Sequence, residues 1–127
     1  YGFDDALYTA ARIMDLLARS EQDLDSLLAT LPADVGTPEI NLTVTDEGKF
    51  DIVQRLSDQG WFEGGELSTI DGVRVDYADG FGLVRASNTT PVLVLRFEAA
   101  DDAALARILH QFKTQLALVE PSLSLDF

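Results

Sequence analysis

Apolar side chains near the start of the chain recur every three or four positions, which is the spacing of one helix face. The members of this face are Leu7, Ala10, Ala11, Met14, Leu17 and Ala18. Asp4 or Asp5 can cap the N-terminus by accepting a hydrogen bond from a backbone N–H of the first turn. The pattern therefore predicts a helix that ends near Arg19 and Ser20.

A shorter helical pattern follows and is then interrupted by proline. Leucines at helical spacing predict a second helix over residues 23–31. The segment from Pro32 to Pro38 breaks regular structure at both ends, because proline lacks the backbone N–H that helices and strands use. We therefore predict a domain boundary that separates residues 1–37 from residues 38–127.

The periodicity changes to that of a strand after this break. Apolar and polar residues alternate over residues 40–45, which predicts a half-buried strand. The next segment returns to helical spacing, and its apolar positions are Phe50, Ile52, Val53 and Leu56. Thr45 or Asp46 can cap this predicted helix, and Gly60 can end it.

Three short runs with strand character come next, at residues 67–70, 73–77 and 81–86. Asp71-Gly72 and Asp79-Gly80 separate them, and Asp-Gly pairs supply the positive φ angles that tight hairpin turns require. We therefore predict that the three runs pair as an antiparallel meander.

The last part of the chain predicts a central strand and a final helix. Residues 92–97 are apolar without alternation, which predicts a strand that is buried on both faces. Asp101 or Asp102 can cap a helix whose apolar positions are Leu105, Ile108, Leu109, Phe112 and Leu116. The predicted fold class is α+β, an antiparallel sheet of about four to five strands with two helices packed on it, preceded by one or two more helices.

The composition limits the possible partners. Among the 127 residues, 22 are acidic and 9 are Lys or Arg, which gives a net charge of −13. A field of this sign repels nucleic acid and anionic lipid. No apolar run is long enough to span a bilayer, and the absence of cysteine is compatible with a reducing compartment. We expect a cytoplasmic protein that binds neither nucleic acid nor membrane.

One loop combines groups that suit an anion. Arg85 precedes four consecutive small polar residues, Ser87, Asn88, Thr89 and Thr90, between two strand-like runs. A guanidinium fork matches phosphate, hydroxyl and amide groups add donors, and a turn can direct successive backbone N–H groups at one point. The sequence therefore indicates an anion-binding loop, and the same string is also typical of an ordinary β-turn.

Two pairs of neighbouring aspartates, Asp4–Asp5 and Asp101–Asp102, carry the side chains of a possible metal site. Each pair precedes an amphipathic helix, where a carboxylate caps the backbone and interacts favourably with the helix dipole. We therefore expect these residues to cap helices, and we expect no metal site in this chain.

Three segments together resemble a known enzyme family. They are residues 37–45, residues 71–77, and the stretch from Gly82 to Phe97 that contains Arg85-Ala-Ser-Asn-Thr-Thr-Pro91. They are similar to the C-terminal, fourth domain of the α-D-phosphohexomutases, in particular the bacterial phosphomannomutase/phosphoglucomutase branch. The first helix resembles the end of that family's third domain, so residues 1–37 would be the tail of a preceding domain and a linker. The family's phosphoserine, magnesium and sugar-recognition loops have no counterpart in this chain.

The resemblance implies a binding role. In this family a phosphoserine exchanges phosphoryl groups with hexose 1-phosphate and hexose 6-phosphate through a 1,6-bisphosphate. The fourth domain binds the phosphate that is not being transferred and closes the cleft, which excludes water. Residue matching gives this role to Arg85, Ser87, Asn88 and Thr89, with Thr90 and Arg96 as weaker candidates.

The implied partners are the 1- and 6-phosphates of glucose and mannose and the other three domains of a parent chain. Mg²⁺ and glucose 1,6-bisphosphate are implied for that parent enzyme, and this chain alone is expected to hold no cofactor and no catalytic residue. Two other classes stay open, a freestanding α+β domain that senses small molecules and a protein-interaction module that uses the acidic surface.

Overall fold

The computed structural model of the chain describes residues 4–31 and 34–127. The chain divides into two units, Tyr1–Ala33 and Asp34–Phe127, and each is described by itself. Pro32, where the predicted break begins, lies outside the described residues.

The first unit contains helices α1 (Ala6–Arg19) and α2 (Leu24–Leu28). The predicted cap of α1 is confirmed, because Oδ1 of Asp5 accepts a hydrogen bond from the backbone N–H of Tyr8 at 2.9 Å. None of the α1 residues is buried, and Leu7 on the predicted apolar face is 86% exposed. The second helix is shorter than the predicted span of residues 23–31.

The second unit is built on a six-stranded antiparallel sheet. Its strands are β1 (Val35–Gly36), β2 (Ile40–Thr43), β3 (Glu66–Ser68), β4 (Val73–Tyr77), β5 (Gly80–Ala86) and β6 (Val92–Ala99). The order is β1-β6-β5-β4-β3, and β2 also pairs with β6. The α+β prediction and the meander are confirmed, and β1 is a strand that the sequence did not predict.

Helices α3 (Gly48–Gln59) and α4 (Asp102–Val119) contact the sheet strands and enclose the core. Phe112 on α4 lies at its centre, with ring centroids 4.6 Å from Phe62 and 5.1 Å from Phe97. Gly82 on β5 allows this approach, because a Cβ there would lie 2.3 Å from Cε2 of Phe112. The cap of α4 is confirmed, since Asp101 accepts a hydrogen bond from the backbone N–H of Ala104 at 2.8 Å.

The prediction that residues 92–97 are buried on both faces is wrong. Leu93, Leu95 and Phe97 are fully buried against the helices, whereas Val94 is half-buried and Arg96 is exposed. The strand is central, as predicted, but the helices cover only one face of the sheet. The other face, which we call the open face, presents alternate residues of β4, β5 and β6 to solvent.

Candidate phosphate-binding site

The predicted anion-binding loop joins β5 to β6 and is held at both ends by the sheet. The two strands stay in register up to the pair Ala86 and Leu93. The backbone N–H of Ser87 then donates to the carbonyl of Val92 at 3.0 Å, and the N–H of Val92 donates to the carbonyl of Thr90 at 2.9 Å. Residues 87–91 therefore form a short loop whose ends have fixed positions.

Ser87 braces the loop from inside. Its side chain is buried, and its Oγ accepts hydrogen bonds from the backbone N–H groups of Thr90 at 3.2 Å and Thr89 at 3.4 Å. The same Oγ lies 2.8 Å from Oγ1 of Thr90, and either hydroxyl can donate to the other. Whichever one donates, the second hydroxyl keeps its own proton for another acceptor.

The outer side of the loop carries free donors. Asn88, Thr89 and Thr90 are all exposed. Within residues 4–31 and 34–127, the backbone N–H of Asn88 has no hydrogen-bond acceptor. An exposed backbone N–H, an amide side chain and the Thr89 hydroxyl are thus available to a ligand at the tip of the loop, together with one proton of the Ser87–Thr90 hydroxyl pair.

Arg85 lies at the end of β5, two residues before Ser87, on the open face of the sheet. Its Nη1 is 3.8 Å from Oδ2 of Asp71, which is the longest of the ion pairs found among the described residues. The turn at Gly72 brings Asp71 there, because Gly72 has a φ of +87° and passes so close that a Cβ would lie 2.7 Å from Cβ of Arg85. Among the arginines of the sheet unit, Arg85 is therefore the one whose guanidinium is least committed to a carboxylate.

Arg96 is placed differently from the other candidates. It lies on the open face opposite Leu83, whereas Arg85 lies opposite Val94, so Arg96 is farther from the loop along the strand. Its Nε donates to Oε1 of Glu98 at 2.8 Å. The structure thus brings Arg85, Ser87, Asn88, Thr89 and Thr90 together and leaves Arg96 beside them on the sheet.

Sequence reasoning missed Lys49, which reaches the loop from α3. Its Nζ donates to the carbonyl of Thr90 at 3.2 Å and to Oδ1 of Asp46 at 2.6 Å. The N-cap of α3 is Glu47, so the prediction that Thr45 or Asp46 caps this helix is wrong, although Oγ1 of Thr45 accepts from the N–H of Gly48 at 3.1 Å. A signal for Lys49 was present, because it precedes Ile52 by three residues and so lies on the buried face of α3.

The described ranges, 4–31 and 34–127, contain neither a metal-ligand cluster nor a membrane-spanning helix. No group of three or more His, Cys, Asp or Glu side chains in them could hold a metal ion. No helix in this part of the chain is both long enough and apolar enough to cross a membrane.

The sequence of this chain is similar to one protein family model and to several known enzymes. Residues 39–115 match the family model of the phosphoglucomutase/phosphomannomutase C-terminal domain. The chain is 61% identical to a phosphomannomutase/phosphoglucomutase of Pseudomonas putida and covers 27% of that protein. It is 47% identical over 115 residues to a phosphoglucomutase of Neisseria meningitidis, of which it covers 25%.

A solved structure shows the same fold. The crystal structure of a phosphoglucomutase/phosphomannomutase family protein from Burkholderia thailandensis matches the whole chain with a TM-score of 0.86 and 50% sequence identity. The matched part is 26% of that protein. The chain therefore spans about a quarter of the length of the relatives that it matches.

Proposed function

Because the chain belongs to the phosphoglucomutase/phosphomannomutase family, as its C-terminal domain, we propose that the β5–β6 loop binds the phosphate group of a hexose phosphate. The observation that carries this proposal is the position of Arg85. A loosely paired guanidinium lies next to a loop with unused N–H and hydroxyl donors. Charge-assisted hydrogen bonds from such groups are the strongest that a side chain offers to phosphate.

Within the proposed site, the residues have different roles. Arg85 supplies the charge, and Asn88 and Thr89 supply donors at the tip. The hydroxyls of Ser87 and Thr90 bond to each other and leave one proton for the ligand. Ser87 also fixes the shape of the loop from its buried position. Arg96 is a secondary candidate. Its side chain would have to break its hydrogen bond with Glu98 and extend along the open face to contact a ligand at the loop.

For the parent enzyme, we propose the interconversion of hexose 1-phosphate and hexose 6-phosphate through a phosphoserine and a 1,6-bisphosphate. This domain would bind the phosphate that is not being transferred, in either orientation of the sugar, and would close over the cleft. Closure would exclude water from a phosphoryl transfer that otherwise leads to hydrolysis. We place Mg²⁺ and the phosphoserine in the rest of the parent chain, and the parent in the cytoplasm.

We also propose that residues 1–37 are the helical tail of the preceding domain and a linker. The exposed apolar face of α1 supports this, because an amphipathic helix normally buries such a face against its own domain. Val35 and Gly36 pair with β6 all the same, so the sheet begins within the proposed linker.

A titration followed by NMR tests the phosphate-binding proposal. Inorganic phosphate or glucose 1-phosphate, added to the ¹⁵N-labelled 127-residue chain, should shift the amides of Ser87, Asn88 and Thr89 before any others. Binding should be weak, with a Kd of about 1 mM or higher, because a few charge-assisted bonds contribute about 1.5–3 kcal/mol each at best.

The matched control uses a second arginine of the open face. Arg85→Ala should abolish the shifts, whereas Arg74→Ala removes the same charge from a residue that is paired with Asp76 and should preserve them. Shifts that cluster elsewhere, or that survive Arg85→Ala, would show that the loop is only a turn. The chain alone should also show no mutase activity with glucose 1-phosphate, Mg²⁺ and the 1,6-bisphosphate.

A further inference from the structure

Lys49 is the only charged residue that is buried in the described part of the chain. Its side chain is 4% exposed, although it lies in the first turn of α3, where a lysine can easily reach solvent. Burying an ammonium group is costly unless hydrogen bonds compensate for the lost water. A buried lysine at this position therefore calls for a structural or functional explanation.

The partners of Lys49 link two parts of the fold that are distant in sequence. One bond goes to Asp46, three residues earlier, whose carboxylate is 75% exposed. The other goes to the carbonyl of Thr90, 41 residues later, in the β5–β6 loop. Nearby, the backbone N–H of Val44 donates to the carbonyl of Pro91 at 3.0 Å. The segment from the end of β2 to the first turn of α3 is thus attached to the end of the loop at two points.

Thr90 connects Lys49 to the part of the loop that carries the ligand donors. Its carbonyl accepts from both Lys49 and the N–H of Val92, while its own N–H and hydroxyl contact Ser87. Ser87 in turn accepts from the N–H of Thr89. A displacement of Thr90 would therefore disturb the hydrogen bonds that join it to Lys49, Val92 and Ser87.

We propose that Lys49 is a positioning residue for the phosphate-binding loop and that Asp46 holds its ammonium in place. The bond to Thr90 keeps the loop donors in one arrangement before the anion arrives, so binding does not have to pay for ordering them. This inference rests on the proposed phosphate-binding function.

The test compares Lys49→Met, which keeps the shape of the side chain and removes the donor, with Lys113→Met as the control. Lys113 is the only other lysine and lies 4.7 Å from the ring of Phe127, away from the loop. In the ligand-free 127-residue chain, Lys49→Met should speed amide exchange at Thr90 and Val92 about tenfold. The exchange rate of Val84, a reference residue within β5, should not change. The Kd for inorganic phosphate should rise about tenfold.

Two further variants exclude a merely structural role. Lys49→Arg restores a charged donor and should recover at least part of the phosphate affinity. Asp46→Asn keeps the size of an exposed side chain and should weaken binding in the same direction by a smaller factor, about two- to threefold. This variant also keeps the test decisive if Lys49→Met fails to fold.

The possible outcomes separate the two proposals. Exchange at Thr90 and phosphate affinity within twofold of the unmodified chain in both Lys49→Met and Asp46→Asn would overturn the role of Lys49. If the unmodified chain binds no phosphate at all, the proposed function fails. In that case the exchange measurement still decides whether Lys49 holds the loop.

Discussion

Asp71 in the β3–β4 turn lies beside Arg85 at the end of β5, with Oδ2 of the carboxylate 3.8 Å from Nη1 of the guanidinium. Asp71 is largely exposed, and the pair is too long for a direct hydrogen bond. A carboxylate in this position competes with an incoming phosphate for the guanidinium. It also repels the phosphate, because both carry negative charge.

We therefore expect Asp71→Asn to strengthen phosphate binding. An exposed ion pair contributes about 0.2–1 kcal/mol, so its loss should lower the Kd for phosphate by a factor of about 1.5 to 5. Asp58→Asn is the matched control, because it removes the same charge from the far end of α3. Isothermal titration at low salt measures both, and weaker binding by Asp71→Asn would instead show that the carboxylate positions Arg85 for its ligand.

Replacement of Gly82 should destabilise the sheet unit. In Gly82→Ala the new methyl group would overlap the ring of Phe112, which is fully buried. Overpacking of this kind costs about 1–3 kcal/mol of unfolding free energy. Urea unfolding of Gly82→Ala in the unmodified and Phe112→Leu backgrounds measures the coupling, and an equal cost in both would exclude the ring as the cause.

Tyr77 should make the stability sensitive to alkaline pH. Burial raises the pKa of its hydroxyl to about 12, and the nearby positive charge of Arg107 offsets only part of this effect. Because the folded pKa lies above the ordinary value of about 10, the protonated form favours the folded state. This contribution is fully present below about pH 10 and is lost as the pH rises towards 12.

The measurement is the difference in unfolding free energy between the unmodified chain and Tyr77→Phe from pH 8 to pH 12. The two curves should converge with rising pH, since phenylalanine cannot ionise. The hydroxyl also donates to Oε1 of Gln111 at 3.2 Å, so Tyr77→Phe should be somewhat less stable below pH 10. A constant difference from pH 8 to pH 12 would contradict the raised pKa of Tyr77.

The amides of α1 should exchange with solvent much faster than those of β6. The helix has 14 residues and buries none of them, and isolated helices of that length are marginal in water. The buried residues of β6, in contrast, should exchange only through global unfolding. Hydrogen exchange followed by NMR compares the two, and equal protection would show that residues 1–37 are integral to the sheet unit.

The sequence predicted those parts of the fold that have a local signal. The period of apolar residues predicted α1, α3 and α4, and the Asp71-Gly72 pair predicted a turn that the positive φ of Gly72 confirms. β1 was missed because two residues are too few to show any alternation. The apolar run at residues 92–97 predicted burial on both faces, but Arg96 is exposed. Packing of the helices decides which face of the strand is covered, and the local sequence pattern does not show this.

The candidate site was predictable only in part for the same reason. Five of its residues lie within six positions of each other, from Arg85 to Thr90, so composition alone indicated them. Lys49 and Asp71 reach the site from other elements of the fold. Only the register of the sheet and the position of α3 bring them to the loop, and neither can be read from local pattern.

The edges of the sheet have a consequence for its behaviour in concentrated solution. At one edge β1 and β2, with two and four residues, together line β6, and at the other edge β3 has three residues. Edge strands that are short offer few unpaired backbone groups to a strand from another molecule. Growth of the sheet by strand addition is therefore disfavoured, which helps this domain to avoid aggregation.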